Sequence, residues 1–155
     1  MTVRLVRAEE QDASEIHRMQ VEAFAELLKK YRDYETNPGA EPVERVRARL
    51  MQEHTYYYYI VLGSGETVGV IRVVDGKNGD RKRIAPLFIL PQYRNLGCAQ
   101  AAIREAERLH GSENWFLDTI QQEKGNCHLY EKMGYRRTDF INPVCEGMTL
   151  IGYEK

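Results

Sequence analysis

The fold is decided by Ile84-Ala85-Pro86-Leu87-Phe88-Ile89-Leu90-Pro91-Gln92-Tyr93-Arg94-Asn95-Leu96-Gly97-Cys98-Ala99. This stretch begins as an apolar segment, is interrupted by Pro91, passes through a polar turn and continues from Gly97 into a helical pattern. The pattern has apolar residues at helical spacing, namely Ala99, Ala102, Ile103, Ala106 and Leu109. It therefore predicts a strand that leads through a glycine-containing turn into a helix.

A turn of this kind is suited to binding an anion. The first backbone N–H groups of a helix have no partner within the helix, and the helix dipole adds positive potential there. Gly97 would let a phosphate approach the backbone, and Arg94 would add a fixed charge. The spacing fits neither the dinucleotide fingerprint nor a P-loop, so a plain strand-to-helix connection is the alternative.

Two motifs in this order resemble one known family. Arg94–Ala99 matches the R/Q-x-x-G-x-G/A signature of the GNAT superfamily of acyl-CoA-dependent N-acetyltransferases, and Leu87–Tyr93 looks like that family's strand running into P-x-Y-R. Downstream, Leu117–Ile120 and Asn126–Tyr135 are similar to the family's L-D-T and N-x-x-x-x-Y-E-K-x-G-F/Y. The resemblance is close from Arg83 to Arg136 and extends to the rest of the chain by element order.

The resemblance implies acetyl-CoA as the cosubstrate, a central strand splayed from the next one, and a general acid for the departing thiolate. Tyr130 matches the family's proton donor, with a core aromatic side chain as the alternative. Asn126 matches the residue that contacts the pantetheine arm, and it is also placed to N-cap a helix over Cys127–Met133. The residues implied in coenzyme A binding are Phe88, Ile89, Leu90, Arg94, Asn95, Leu96, Gly97, Cys98, Ala99 and Asn126.

The general base is not identified by the motifs. Some relatives carry a carboxylate on the central strand, but Ala85–Leu90 contains no acidic side chain. The remaining candidates are Glu22, Glu26, His54 and Asp118. Cys98 and Cys127 lie near the predicted site, yet nothing around them indicates a nucleophile, and direct attack by an amine needs none.

Composition narrows the class of protein. The chain has 155 residues, 43% of them hydrophobic and 29% charged, which predicts one globular domain over residues 1–155. A net charge of −1 provides no basic surface for nucleic acid, and no apolar run is long enough to span a membrane. Three cysteines without metal-ligand spacing and four scattered histidines predict no metal site and a reducing, cytoplasmic environment.

The remaining chain predicts an α+β fold with the element order β-α-α-β-β-β-α-β-α-β-β. A strand at Val3–Arg7 precedes a helix that Asp12 and Glu15 open as a capping box. A loop at Tyr31–Pro42 either lines a ligand site or is a surface connection. The last two strands are predicted to meet at a turn at Asn142-Pro143. This order is that of the GNAT fold, a twisted mixed sheet between two layers of helices.

Two further patterns leave alternatives open. Tyr56–Tyr59 place two rings on each face of a strand, either as core side chains or with hydroxyls in an acceptor pocket. The basic triplet Arg81–Arg83 is either a solvated strand end or a feature that draws in an acidic acceptor.

We therefore expect an acetyl-CoA-dependent N-acetyltransferase that acts on a primary amine by direct attack in a ternary complex. A catalytically silent acyl-CoA-binding module and a nucleotide-phosphate binder are the alternatives. The sequence does not select among small-molecule and protein amines as acceptor. The β-rich C-terminus would allow a homodimer through edge pairing.

Overall fold

The computed structural model describes residues 1–155 and contains seven strands and four helices. The strands are β1 (Val3–Arg7), β2 (Thr55–Leu62), β3 (Thr67–Val74), β4 (Lys82–Ile89), β5 (Trp115–Ile120), β6 (Arg136–Cys145) and β7 (Met148–Glu154). The helices are α1 (Ala13–Tyr31), α2 (Val43–Leu50), α3 (Cys98–His110) and α4 (Lys124–Lys132). The predicted order of elements is confirmed, and none of the helices combines the length and the apolar character that a bilayer crossing requires.

All seven strands form one sheet in the order β1-β2-β3-β4-β5-β7-β6. Neighbouring strands are antiparallel except β4 and β5, which are parallel and pair only at Lys82 with Trp115 and at Arg83 with Phe116. Beyond Arg83 the two strands diverge, so the rest of β4 has no strand partner on that side. The sheet therefore opens as a wedge at its centre, next to the segment Phe88–Leu90.

The two faces of the sheet carry separate hydrophobic cores, which confirms the three-layer α+β fold. The larger core packs α3 and α4 against one face and contains fully buried Ile103, Trp115 and Leu117. The smaller core packs α1 and α2 against the other face around Ile16 and Val46. Side chains therefore alternate between two buried surfaces along the central strands.

The tyrosine run lies across both cores. Tyr57 faces the α1/α2 core and Tyr58 faces the α3/α4 core, and both are buried. Tyr56 and Tyr59 are only partly buried. The prediction of core tyrosines therefore holds for one ring on each face.

Helix starts differ from the prediction in two places. A capping box forms between Glu9 and Asp12 one turn earlier than expected, because the Asp12 carboxylate accepts from the Glu9 N–H at 2.8 Å. The expected cap over Cys127–Met133 is wrong, because α4 begins at Lys124 with Glu123 as its N-cap. The first-turn N–H of Asn126 is already bonded to the Glu123 carbonyl at 3.1 Å.

The predicted turn at Asn142-Pro143 is also wrong. Strand β6 runs through Pro143 to Cys145, and the chain reverses at Glu146 and Gly147, where Gly147 has φ +79°. β6 is the edge strand of the sheet. Proline is tolerated there because one row of backbone groups in an edge strand needs no partner.

The connection between α1 and α2 is held by inward-facing polar side chains. The Glu41 carboxylate is buried and accepts from Gln20 at 2.9 Å and from Arg49 at 2.9 and 2.5 Å. The buried carboxylate of Asp33 and amide of Asn37 accept from backbone N–H groups within the connection. These contacts satisfy buried polar atoms and fix the connection over the α1/α2 core.

Candidate active site

A cleft of about 450 Å³ lies against the end of β4 that diverges from β5. Its floor is the end of β4, and its walls come from α1, the turn before α3, and α4. Nine of the eleven site residues predicted from the sequence line it: Phe88, Ile89, Arg94, Asn95, Gly97, Cys98, Ala99, Asn126 and Tyr130. Leu90 is instead buried in the α1/α2 core, and the Leu96 side chain is 54% exposed outside the cleft.

The turn before α3 presents a row of free backbone donors. None of the six successive N–H groups from Asn95 to Gln100 has a hydrogen-bond partner within the chain, and the first helical bond is that from Ala101 to the Gly97 carbonyl. Asn95 and Gly97 both adopt left-handed backbone conformations, with φ +63° and +86°. Such alternation turns successive N–H groups toward one point and makes an anion-binding nest at the positive end of the helix.

Arg94 is anchored beside this nest. Its Nε donates to the Ile89 carbonyl at 3.1 Å and its Nη2 donates to the Ala23 carbonyl at 2.5 Å. Three of its five N–H donors remain free. The side chain therefore joins α1 to β4 and keeps a fixed positive charge at the cleft.

Tyr130 projects from α4 into the base of the cleft. Its ring packs between Tyr135 and Tyr153 at centroid distances of 6.0 and 6.1 Å, and its hydroxyl makes no hydrogen bond within the chain. Burial raises the pKa of the Tyr130 phenol well above its usual range, and the charges of Asp118 and Cys127 raise it further. The phenol is therefore neutral and carries its proton at physiological pH.

Asn126 lies on the first turn of α4 and lines the same cleft. Its side-chain amide makes no hydrogen bond to the protein, because Glu123 occupies the cap position. Both a donor and an acceptor are thus available to a ligand one helical turn before Tyr130.

The two cysteines near the cleft are packed as small apolar side chains. Cys98 is buried with its sulfur 3.6 Å from that of Met1, and burial raises the pKa of its thiol. Cys127 is buried with its sulfur 3.8 Å from the carbonyl oxygens of Ile120 and Gln121. Enclosed thiols of this kind are poor nucleophiles.

The four candidate bases lie in different places. Glu26 lines the cleft and makes no ion pair, whereas Glu22 is exposed on α1 outside it. His54 precedes β2 at the end of the sheet opposite the cleft. Asp118 forms an ion pair with Arg83 at 3.0 Å. Only Glu26 combines a free carboxylate with a position in the cleft.

Glu123 is a cleft residue that the sequence analysis misses. Its carboxylate accepts from Lys30 at 2.7 Å and from the Tyr31 hydroxyl at 2.5 Å, which links α1 to α4 across the cleft. Burial raises the pKa of Glu123, but the hydrogen bonds from Lys30 and Tyr31 outweigh this and leave the pKa below its usual range. No local pattern marks this residue, because its partners are more than ninety positions away.

Known proteins share this architecture. The model of the acetyltransferase (GNAT) family matches residues 21–135. An acetyltransferase from Thermus thermophilus superimposes with a TM-score of 0.71 at 18% identity, over 99% of this chain and 96% of that one. Apo YjaB from Escherichia coli gives 0.66 at 17% identity, over 99% and 97% of the two chains.

A spermidine N-acetyltransferase from Vibrio cholerae, solved with CoA and spermine, gives a TM-score of 0.73 at 15% identity, over 98% of this chain and 94% of that one. At these identities the structural matches show the fold alone. No curated protein sequence matches this chain at a significant level.

Proposed function

Because the chain belongs to the GNAT acetyltransferase family, we propose that it transfers the acetyl group of acetyl-CoA to a primary amine by direct attack in a ternary complex. The observation that carries this proposal is the convergence of three features on one cleft. These are the row of free N–H groups, the unpaired side of β4 and the neutral Tyr130 phenol. Each matches a different part of acyl transfer from a thioester.

Coenzyme A fits the cleft through its phosphates and its amides. The N–H groups from Asn95 to Gln100 would hold the pyrophosphate, and Arg94 would add charge beside it. The amides of the pantetheine arm would pair with the open side of β4 near Phe88 and Ile89, as an added strand does. The side-chain amide of Asn126 makes no hydrogen bond within the chain and lines the same cleft, so it would bind the pantetheine arm as well.

The reaction forms one C–N bond and breaks one C–S bond. The neutral amine attacks the thioester carbonyl carbon, and the proton that the amine must lose passes to Glu26, directly or through water. As the C–S bond breaks, Tyr130 donates first a hydrogen bond and then a proton to the departing sulfur. Exchange with water moves the proton taken by Glu26 to Tyr130, so the products are an amide and a free thiol.

The alternative, a catalytically silent acyl-CoA-binding module, has less support. A silent module has no need for an unbonded phenol at the base of the cleft, yet the Tyr130 hydroxyl has no partner in the chain. The relative from Vibrio cholerae acts on spermidine, which supports an amine acceptor, whether a small molecule or a protein amine.

The proposal is tested by incubating the protein with acetyl-CoA and a panel of primary amines. Thiol release and the acetylated product are measured by a colorimetric assay and by mass spectrometry. We expect amine-dependent thiol release in a 1:1 ratio with acetylated amine. Tight coenzyme A binding with no thiol release for any amine would favour the silent module.

The remaining parts of the proposal concern the chain as a whole. We treat residues 1–155 as one acetyltransferase domain, because a single sheet runs from β1 to β7. Three free cysteines favour a reducing, cytoplasmic location.

We also propose a homodimer through edge strand β6, where Phe140 and Ile141 are 40% and 60% exposed. Ile141→Lys should then convert a dimer into a monomer in light-scattering measurements.

A further inference from the structure

Arg72 is a half-buried cation with no carboxylate partner. It projects from β3 on the same side of the sheet as α1 and α2, and its Nη1 donates to the Ala85 carbonyl at 2.8 Å. It takes part in no ion pair, although charges withdrawn from water in proteins are normally paired. Burial lowers the pKa of Arg72, and repulsion from Arg49 and Arg83 lowers it further, although attraction to Tyr57 and Glu41 offsets part of this shift.

The unused edge of this guanidinium has the geometry that a carboxylate prefers. Its Nε is buried without a partner, and its Nη2 makes only a 3.3 Å bond to Gln52 at the protein surface. Nε and Nη2 form one side of the planar fork, and a carboxylate binds such a side through two parallel hydrogen bonds. Displacing the Gln52 contact would open this edge to a ligand.

A second unsatisfied group lies beside it. Tyr57 is the register partner of Arg72 on the neighbouring strand, and its side chain is 1% exposed. Its hydroxyl lies near the Arg49 guanidinium but makes no hydrogen bond of ordinary geometry. The Arg72 guanidinium lies 5.9 Å from the centre of the Tyr57 ring. A buried hydroxyl and a buried Nε–H without partners at one place indicate that a polar ligand completes the site.

The nearby carboxylates form no ion pair with Arg72. Glu41 is engaged by Arg49 at 2.9 and 2.5 Å, and Asp118 is engaged by Arg83 at 3.0 Å. Each acidic group therefore already has an arginine of its own. The surplus positive charge at Arg72 attracts an anion and repels a polycation.

The site lies within reach of the proposed reaction. Ala85, which Arg72 contacts, is three residues before Phe88 on β4, roughly 10 Å along the strand. Arg72 and Phe88 project on the same side of the sheet, where α1 and α2 pack. An amine in the cleft could thus extend an anionic group along β4 to Arg72.

We propose, on the basis of the proposed acetyl transfer, that Arg72 and the Tyr57 hydroxyl bind a carboxylate of the acceptor, so that the acceptor is an amine of the amino-acid class. The carboxylate replaces Gln52 on the Nε and Nη2 edge of Arg72 and accepts a third hydrogen bond from Tyr57. The acceptor therefore differs in charge from the polyamine of the Vibrio cholerae relative.

The test compares amines that differ only by a carboxylate. Amino acids are assayed beside their decarboxylated partners, for example L-lysine with 1,5-diaminopentane and L-phenylalanine with 2-phenylethylamine, together with spermidine. For at least one pair, kcat/KM for the amino acid should exceed that of its partner by about tenfold or more, as expected for a hydrogen-bonded charge. Equal rates in every pair, or a preference for spermidine, would overturn the carboxylate site while leaving acetyl transfer intact.

Variants separate recognition from folding. Arg72→Gln should raise KM for the preferred amino acid to that of its decarboxylated partner, with KM for acetyl-CoA unchanged. Tyr57→Phe removes only a hydroxyl that makes no hydrogen bond of ordinary geometry in the chain, so it should fold normally and raise the same KM. Arg104→Gln, at an exposed position on α3, is the matched control and should change neither.

Two results would contradict the subsite in different ways. If Arg72→Gln and Tyr57→Phe both leave the acceptor KM unchanged, the two groups have a structural role only. If no amine supports thiol release by the wild-type protein, the proposed acetyl transfer fails and the subsite fails with it.

Discussion

At the scale of single residues, Tyr130 shows how burial shapes reactivity. The environment that raises the pKa of its phenol keeps the proton in place but also makes the group a weak acid. In the proposed reaction, its main contribution would therefore be the hydrogen bond that it gives to sulfur as negative charge develops there. From the sequence alone, Tyr130 could be either a proton donor or an aromatic side chain of the core. The structure shows that its ring is packed while its hydroxyl has no partner.

Replacing this hydroxyl tests its role. Tyr130→Phe should lower kcat by about tenfold or more, the effect expected for a general acid, while coenzyme A binding changes little. The matched control is Tyr135→Phe, which removes a buried hydroxyl that lies near Glu107 and outside the cleft lining. If Tyr130→Phe lost kcat and coenzyme A affinity to the same extent, Tyr130 would have a structural role only.

The raised pKa of Tyr130 also predicts the form of the pH–rate profile. Raising the pKa means that the protonated acid survives to a higher pH than in a free tyrosine, whose pKa is about 10. Activity should therefore rise with pH as the amine loses its proton, with no descending limb before about pH 10. A descending limb between about pH 8 and 9 that disappears in Tyr130→Phe would contradict this assignment.

Asp75, His110 and Tyr58 form a buried polar chain that the proposed reaction does not use. His110 Nδ1 lies 2.7 Å from the Asp75 carboxylate, and its Nε2 lies 2.8 Å from the Tyr58 hydroxyl. Burial raises the pKa of Asp75, but the hydrogen bonds from His110 and from the Lys77 N–H outweigh it and leave the pKa lowered. The chain therefore ties the end of β3 to the end of α3.

A lowered carboxyl pKa adds stability above the unfolded-state pKa, and this stability is lost as pH falls through the folded-state value. Asp75→Asn should reduce the free energy of unfolding at pH 7 by about 1–3 kcal/mol, the cost of disturbing a buried hydrogen bond. In urea titrations the difference from wild type should begin to shrink below about pH 4 and continue to shrink as pH falls toward the lowered folded-state pKa of Asp75, where the carboxyl becomes protonated. Asp80→Asn in the neighbouring exposed turn should have little effect, and a deficit for Asp75→Asn that persists unchanged at about pH 2 would contradict this explanation.

At the scale of elements, the connection from β4 to α3 is the part that sequence predicts best. A proline, a polar turn and a glycine before an apolar helical stripe are local signals, and the strand, the turn and the helix all form as expected. The start of α4 is predicted less well, because Asn126 is a good cap in isolation. Glu123 takes that position because its carboxylate is also held by Lys30 and Tyr31 on α1, a contact that no local pattern contains.

Gly97 provides the element-scale test of the anion nest. A methyl group at this position has open space around it, so Gly97→Ala should fold, with a loss of about 1–2 kcal/mol from its left-handed backbone. The added Cβ would also hinder the approach of a phosphate to the backbone. We therefore expect coenzyme A affinity to fall by about tenfold or more, as measured by calorimetry.

The matched control is Gly79→Ala in the turn before β4, where φ is +88° and an added methyl group also has open space around it. It changes a glycine of similar φ far from the nest and should bind coenzyme A as wild type does. Equal loss of affinity in both variants would attribute the effect to backbone strain instead of the nest.

At the scale of the whole molecule, the sequence predicts the order of elements, the three layers and nine of the nineteen residues that line the cleft. The hydrophobic periodicity of the sequence does not predict that β4 and β5 pair at only two positions. The divergence of these two strands depends on contacts between distant segments. The family resemblance implies the wedge, and the register of the strands confirms it. The sequence also does not predict that Arg72 lacks a carboxylate partner, because such partners come from distant parts of the chain.

Thermal unfolding with acetyl-CoA, coenzyme A or ATP, each at high concentration, tests the cosubstrate site most directly. A ligand at about 100 times its dissociation constant adds about 2.7 kcal/mol, which shifts Tm by several degrees in a domain of this size. We predict a clear rise in Tm with acetyl-CoA and with coenzyme A, and a much smaller one with ATP. In Gly97→Ala both large shifts should fall to about half or less, because a tenfold weaker affinity lowers the added stability to about 1.4 kcal/mol. No shift with either coenzyme A species would contradict the assignment of the wedge between β4 and β5 as the cosubstrate site.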